Sequence, residues 1–188
     1  HQCDRRQRQM CIRDRMGTLT VDNLNVNSTA TISSGVGKVL QVQSSFKADT
    51  DSTTSTSDVA ISGLSLTLTP ASASNKVLVQ FDVGTMGNNY NAHMFFTVYR
   101  SIGGGAYSAI GVGTGGGSYN YGAGSYAANG YYHTVGQCFL DSPNTTSEIT
   151  YKLYFRGSSG SYTYYINRRS SDDLFRGSTS LICMEVKG

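Results

Sequence analysis

Two stretches, 59–70 and 76–83, alternate apolar and polar residues with a period of two, and they constrain the fold more than any other feature. In VAISGLSLTLTP, Leu64, Leu66 and Leu68 fall on one side and Ser65, Thr67 and Thr69 on the other. Successive side chains of a strand point to opposite faces, so such a run reads as a strand with one buried face. Pro70 ends it, because proline donates nothing to a ladder. After a turn at Ala71–Asn75, KVLVQFDV repeats the pattern with Val77, Val79, Phe81 and Val83 on one face.

Further strand-like runs follow at 38–46, 94–100, 107–112, 131–141, 148–156, 162–166 and 178–186. The last places Ile182, Met184 and Val186 on one face and Leu181, Cys183 and Glu185 on the other. A strand apolar on nearly both faces belongs in a sheet centre or at a subunit contact, and an apolar patch around Leu181 is expected there. No segment has a convincing helical period. Strands with turn signals every ~8–12 residues indicate an antiparallel sandwich or jelly roll. The 22 Gly and 13 Tyr agree, since Gly breaks helices and Tyr fits a pleated surface. Asp49–Asp58 (DTDSTTSTSD) reads as a polar loop.

The net charge of +3 is confined to the first fifteen residues, which carry five Arg against two Asp. From Met16 onward, ten Lys and Arg balance ten Asp and Glu. A neutral body lacks the clustered cations that nucleic acid requires. Arg168-Arg169 is the only basic doublet there, and Asp172-Asp173 beside it points to a salt-bridged loop. The string QCDRRQRQMCIRDR resembles a translated sequencing-library adapter, which makes Met16 the expected natural start. A basic arm for nucleic acid or an acidic partner is the alternative. Residues 16–37 hold Leu19, Val21, Leu24, Val26 and Ile32 at short intervals, as in a fibrous β-rich leader. The expected domains are thus 1–15, a non-native or disordered leader, 16–37, a fibre-like leader, and 38–188, the sandwich. No apolar run approaches the ~18 residues of a membrane span, and no membrane insertion is expected. Outside 1–15 only Cys138 and Cys183 remain. They are expected to be buried free thiols, with a disulfide as the alternative if their strands face each other.

Catalytic signatures are lacking. Beyond His1 there are only His93 and His133, and neither lies in a metal or hydrolase motif. No catalytic residue, metal site or cofactor is expected. An enzyme would require Asp141, Glu148 or Asp172 beside His133 in a cleft. Asp172-Asp173 on a loop offers at most weak calcium binding.

The segment 103–130 breaks the pattern, with eleven of the 22 Gly threaded by Tyr. Long stretches of this kind inside a domain are commonly functional. Tyr gives a rigid contact surface with a polar tip, while Gly, Ser and Asn adapt their hydrogen bonding. The candidate ligand-binding residues are Tyr107, Tyr119, Asn120, Tyr121, Tyr126, Asn129, Tyr131 and Tyr132. Packing of these rings on the sheet or on a neighbouring subunit is the competing role.

MGTLTVDNLNV, GKVLQV, ISGLSLTLTPASASNKVLVQFDV, FTVYR and STSLICMEVKG together resemble a family of tail-fibre and related virion proteins of phages of marine bacteria. The likeness covers nearly all of 16–188. Within it, Leu64 to Val79 matches a hairpin motif and Ser180 to Val186 a terminal strand. The resemblance implies a homotrimeric jelly-roll sandwich in the virion, without enzymatic activity. It also implies other virion proteins and a host-surface glycan or protein as partners. A purely structural decoration protein and a secreted lectin-like sandwich are the alternatives.

Overall fold

A computed structural model describes residues 37–84, 86–88, 92–117, 119–127, 133–169, 172 and 174–188, with backbone alone for 86–88 and Ala127. Both leaders, Gly37 excepted, lie outside these residues. The described chain forms twelve strands. They are β1 (Val39–Lys47), β2 (Asp51–Thr53), β3 (Val59–Leu68), β4 (Lys76–Val83), β5 (Met86–Asn88) and β6 (Ala92–Ile102). The second half supplies β7 (Ser108–Ile110), β8 (Ala123–Ala127), β9 (Val135–Asp141), β10 (Ile149–Gly157), β11 (Tyr164–Ile166) and β12 (Thr179–Val186).

One sheet has the order β1-β12-β4-β9 and a second the order β3-β10-β6-β7, with β8 also pairing β6; a small third sheet is β2-β11-β5. All pairings are antiparallel. The two larger sheets contain a nested set of partners. β1 pairs β12, β3 pairs β10, β4 pairs β9, and β6 pairs β7 and β8. A long antiparallel ribbon rolled into two sheets gives this order, which makes the domain a jelly roll.

The core lies between the sheets and follows the alternation. Val77, Val79, Phe81 and Leu181 from one sheet meet Leu64, Phe96, Tyr151 and Leu153 from the other, and all are fully buried. Phe81 and Phe96 bridge the layers with ring centroids 6.4 Å apart. Leu181 is therefore core, not patch. The outward apolar residues of β12 are Ile182, Met184 and Val186, on the opposite side of the strand. Cys183 faces inward and Cys138 is exposed, both free. Burial, together with the negative Asp141, pushes the Cys183 thiol up. The expected pair of buried thiols holds for one member only, because Cys138 falls on the outward register of β9.

The hairpin expected over 64–79 is absent. β3 and β4 belong to different sheets, and residues 69–75 carry the chain across the edge between them. Glu185, buried at the end of β12, closes that corner. It accepts from the Ala71 amide at 2.7 Å, Asn75 Nδ2 at 2.6 Å and Gln41 Nε2 at 2.6 Å. Burial alone would raise the Glu185 pKa, but the three donors outweigh it and hold the carboxyl below its ordinary value.

The polar loop expected at 49–58 contains β2, which pairs β11 through Asp51, Ser52 and Thr53. Asn167, at φ 58°, follows β11 and stitches the region together. Its Nδ2 donates to the Lys47 and Asp49 carbonyls, and its Oδ1 accepts from Thr179 Oγ1. Asparagine tolerates this left-handed backbone better than most residues. In the basic loop that follows, Arg169 pairs with Asp172, as the adjacent charges suggested.

Candidate ligand-binding surface

The outward face of β6 organises the site. Ala92, Met94, Phe96 and Val98 point into the core, which leaves His93, Phe95 and Tyr99 on the other side. Phe95 stands opposite Arg156 of β10 and Gly124 of β8; His93 stands opposite Tyr126. Rings from the Gly-rich segment fold onto this face. Phe95 meets Tyr121 at 4.4 Å, Tyr119 at 5.2 Å and His93 at 6.0 Å between centroids. Tyr126 packs on His93 at 5.0 Å. Offset and tilted pairs at these distances stabilise one another beyond their burial.

Glycine makes the stack possible. A Cβ on Gly124 would sit 2.8 Å from Tyr121 Cε2 and 3.1 Å from Phe95 Cδ1. Backbone bonds hold the segment in place: Gly122 N donates to Phe96 O at 3.0 Å and Gly113 N to Tyr121 O at 3.2 Å. This anchoring is the reason a run without periodicity still contributes β8.

Arg156 supports the rings from β10. Its guanidinium carbon lies 5.2 Å from the Phe95 centroid and 5.4 Å from that of Tyr119, within cation–π range. Its charge is balanced by Asp58, with Nε 3.2 Å from Oδ1. That contact is an ion pair whose angle falls short of a hydrogen bond, since both atoms lack a hydrogen-bond partner. Asp58 Oδ2 accepts from Tyr99 at 2.7 Å, and Tyr99 packs on Tyr154 at 4.2 Å. Burial, then the neighbouring Asp58, pushes the Tyr99 hydroxyl up to about 12.

A pocket of about 420 Å³ opens beside this cluster, lined by His93, Phe95, Gly117, Tyr119, Tyr121 and Ser158. Ser158 Oγ accepts from the His93 amide at 3.1 Å, and the Ser158 amide donates to the His93 carbonyl at 3.0 Å. The floor is aromatic, and Tyr119, half exposed at 50%, forms part of the wall.

Of the sequence candidates, Tyr119, Tyr121 and Tyr126 converge here, and the exposed Asn120 lies between the first two. Tyr107 is elsewhere. Its ring sits 4.7 Å from Lys152 Nζ, and Lys152 is four residues from Arg156, roughly 13 Å along the strand. Asn129, Tyr131 and Tyr132 lie outside the described residues. Sequence reading missed His93, Phe95, Arg156 and Ser158. One signal was present: Met94, Phe95 and Phe96 are consecutive in a strand, so one large ring had to face outward.

Of the acids named as an enzyme's requirement beside His133, Asp172 pairs with Arg169. Asp141 is buried and accepts from Arg100 Nη1 at 2.6 Å and Tyr151 Oη at 2.8 Å, while Glu148 is exposed. Among the described residues no three His, Cys, Asp or Glu side chains are grouped to hold a metal. Among the described residues no helix is long and apolar enough to cross a membrane.

No protein-family model matches the chain, and no curated protein matches it. Among solved structures it is similar to a chain in "Structure of infectious bursal disease virus Gx strain", with 10% identity and a TM-score of 0.40. The match covers 88% of this chain and 44% of that one, so this chain spans less than half the length of its structural neighbour. The jelly-roll assignment rests on strand order and is independent of this likeness.

Proposed function

We propose that the chain is a structural protein of a virion that assembles as a homotrimer and contacts a host surface through the aromatic pocket. The observation that carries the attachment role is the pocket itself. An exposed tyrosine wall over a buried aromatic floor, built on a rigid sheet, suits recognition by surface contact. The virion setting, and the other virion proteins as partners, draw on the motif resemblance of 16–188.

The outer face of the four-stranded sheet supports self-assembly. Val42, Met184, Leu78 and Leu140 stand in register across all four strands and form one apolar row. Val42 is 54% exposed, Leu140 55%, and Phe46, further along β1, 68%. An apolar patch of this extent on a single subunit marks a contact surface, and copies of one chain present matching patches. This reading assigns the chain no catalytic role.

The test is adsorption of labelled full-length protein to a panel of bacterial cells, with Tyr121→Ala beside the wild type. Saturable binding that the variant loses supports attachment. Binding to no cell, or binding indifferent to the substitution, replaces this reading with that of a purely structural decoration protein.

A further inference from the structure

We propose that the pocket takes one uncharged sugar ring of a glycan, with the ring's apolar face on the aromatic wall. This deepens the attachment reading and rests on it. Three properties of the site favour such a ligand over the other classes an aromatic pocket might hold.

The first is charge. The described lining residues include no Asp, Glu, Lys or Arg. Arg156, the cation packed on Phe95 and Tyr119, is committed to Asp58 and donates from Nη1 to the Thr56 carbonyl at 3.3 Å. A sialic acid or sulfate would find no released cation to pair with. A quaternary ammonium would find no carboxylate among the described lining residues.

The second is the aromatic surface. Aromatic faces carry a negative quadrupole, and the C–H groups on the flat side of a pyranose are weakly positive, so the two attract. Tyr119 and Tyr121 present such faces beside a buried Phe95. The third is the polar rim. Ser158 Oγ accepts from the His93 amide, which leaves its own proton free to donate to a ligand oxygen. A purely apolar ligand would forgo that bond. At about 420 Å³ the cavity is within the range of small-ligand sites, roughly 300–1,000 Å³.

The experiment exposes full-length protein to immobilised glycans ending in neutral hexoses, in sialic acid and in sulfated sugars, and to a trimethyl-lysine peptide. Cell adsorption is measured in parallel. Neutral-ended glycans are expected to bind, with free neutral hexoside competing and the matching uronic acid competing at least tenfold less well. Tyr121→Ala should weaken binding tenfold or more, and Tyr107→Ala should leave it within twofold. Gly117→Arg guards against misfolding as the cause: Gly117 lines the pocket and a Cβ there meets nothing within 4 Å, so a large side chain is added at the rim without disturbing the core. It too should cost at least tenfold. Preference for charged glycans or for the peptide would overturn the inference, as would neutral binding that survives both pocket variants. Cell adsorption lost on Tyr121→Ala without binding to any panel glycan would overturn the sugar assignment while leaving the attachment reading standing. Adsorption unaffected by Tyr121→Ala would remove both.

Discussion

Across the four-stranded sheet one outward row is apolar from edge to edge: Val42 beside Met184, Met184 beside Leu78, Leu78 beside Leu140. Across the five-stranded sheet, outward side chains meet rings and charges, with Phe95 opposite Arg156 and His93 opposite Tyr126. Both faces are built on strands whose other side fills the same core. The first sets its apolar row beside polar neighbours such as Gln80 and Asp82; the second is interrupted by the Gly- and Tyr-rich segment, which turns part of it into a concavity. An apolar row is suited to a flat partner of matching shape, and a concavity to a small ligand. On the proposed reading, the contrast teaches that a jelly roll can hold assembly and recognition apart without a second domain.

The strongest challenge to this contrast is at the layer both sheets share. Phe96 touches Phe81 across the sandwich and Phe155 beside it. Phe96→Ala should cost about 3–5 kcal/mol in denaturant unfolding. Assembly and ligand binding should decline together, and loss of one alone would show that the faces do not depend on a common core.

Glu185 offers a smaller and more local perturbation. Its folded pKa is lowered, so its contribution is fully present above the ordinary value of 4.5 and is lost as pH falls through the lower folded value. Glu185→Gln should cost about 2 kcal/mol at pH 7, given hydrogen bonds to a charged acceptor. It should also flatten the acid limb of the stability–pH curve below pH 4.5. An unchanged acid limb would mean that the corner is not held by this carboxylate.

The smallest expected change in stability makes the sharpest division. Leu140→Lys, at an exposed outward position, should alter unfolding by no more than about 0.5 kcal/mol. Light scattering should nevertheless show the proposed trimer reduced to monomer, with the intrinsic affinity of the pocket retained. A trimer that survives the lysine would place the subunit contact elsewhere.

Period-two runs were legible in the sequence because each has one face against the core. Val77 to Val83 and Leu64 to Leu68 needed no knowledge of their partners. The choice of sheet was not legible, since a buried face looks the same whichever layer supplies the opposite wall. The stretch 64–79 therefore read as a hairpin where it is a crossing between sheets. β8 was hidden for a different reason. Its sequence, AGSYA, has little intrinsic strand preference, and its pairing with β6 depends on rings that lie over glycine. At the site, Tyr119, Tyr121 and Tyr126 stood out by composition. Their aromatic partner Phe95 was disguised as one more core residue of an apolar strand, and Arg156 gave no sign of its register opposite it.

The nesting of the ribbon also affects the order in which the protein can be made. β12 pairs β1 on one side and β4 on the other, so the four-stranded sheet is divided until residues 179–186 have been synthesised. Until then β1 has no partner in its sheet, and Glu185 is not present to close the corner at Ala71 and Asn75. A ribosome-bound chain holds most of its core residues without a means of sealing them. Closure of the four-stranded sheet therefore waits for residues 179–186, and its contacts are among the most distant in sequence, the kind that form slowly.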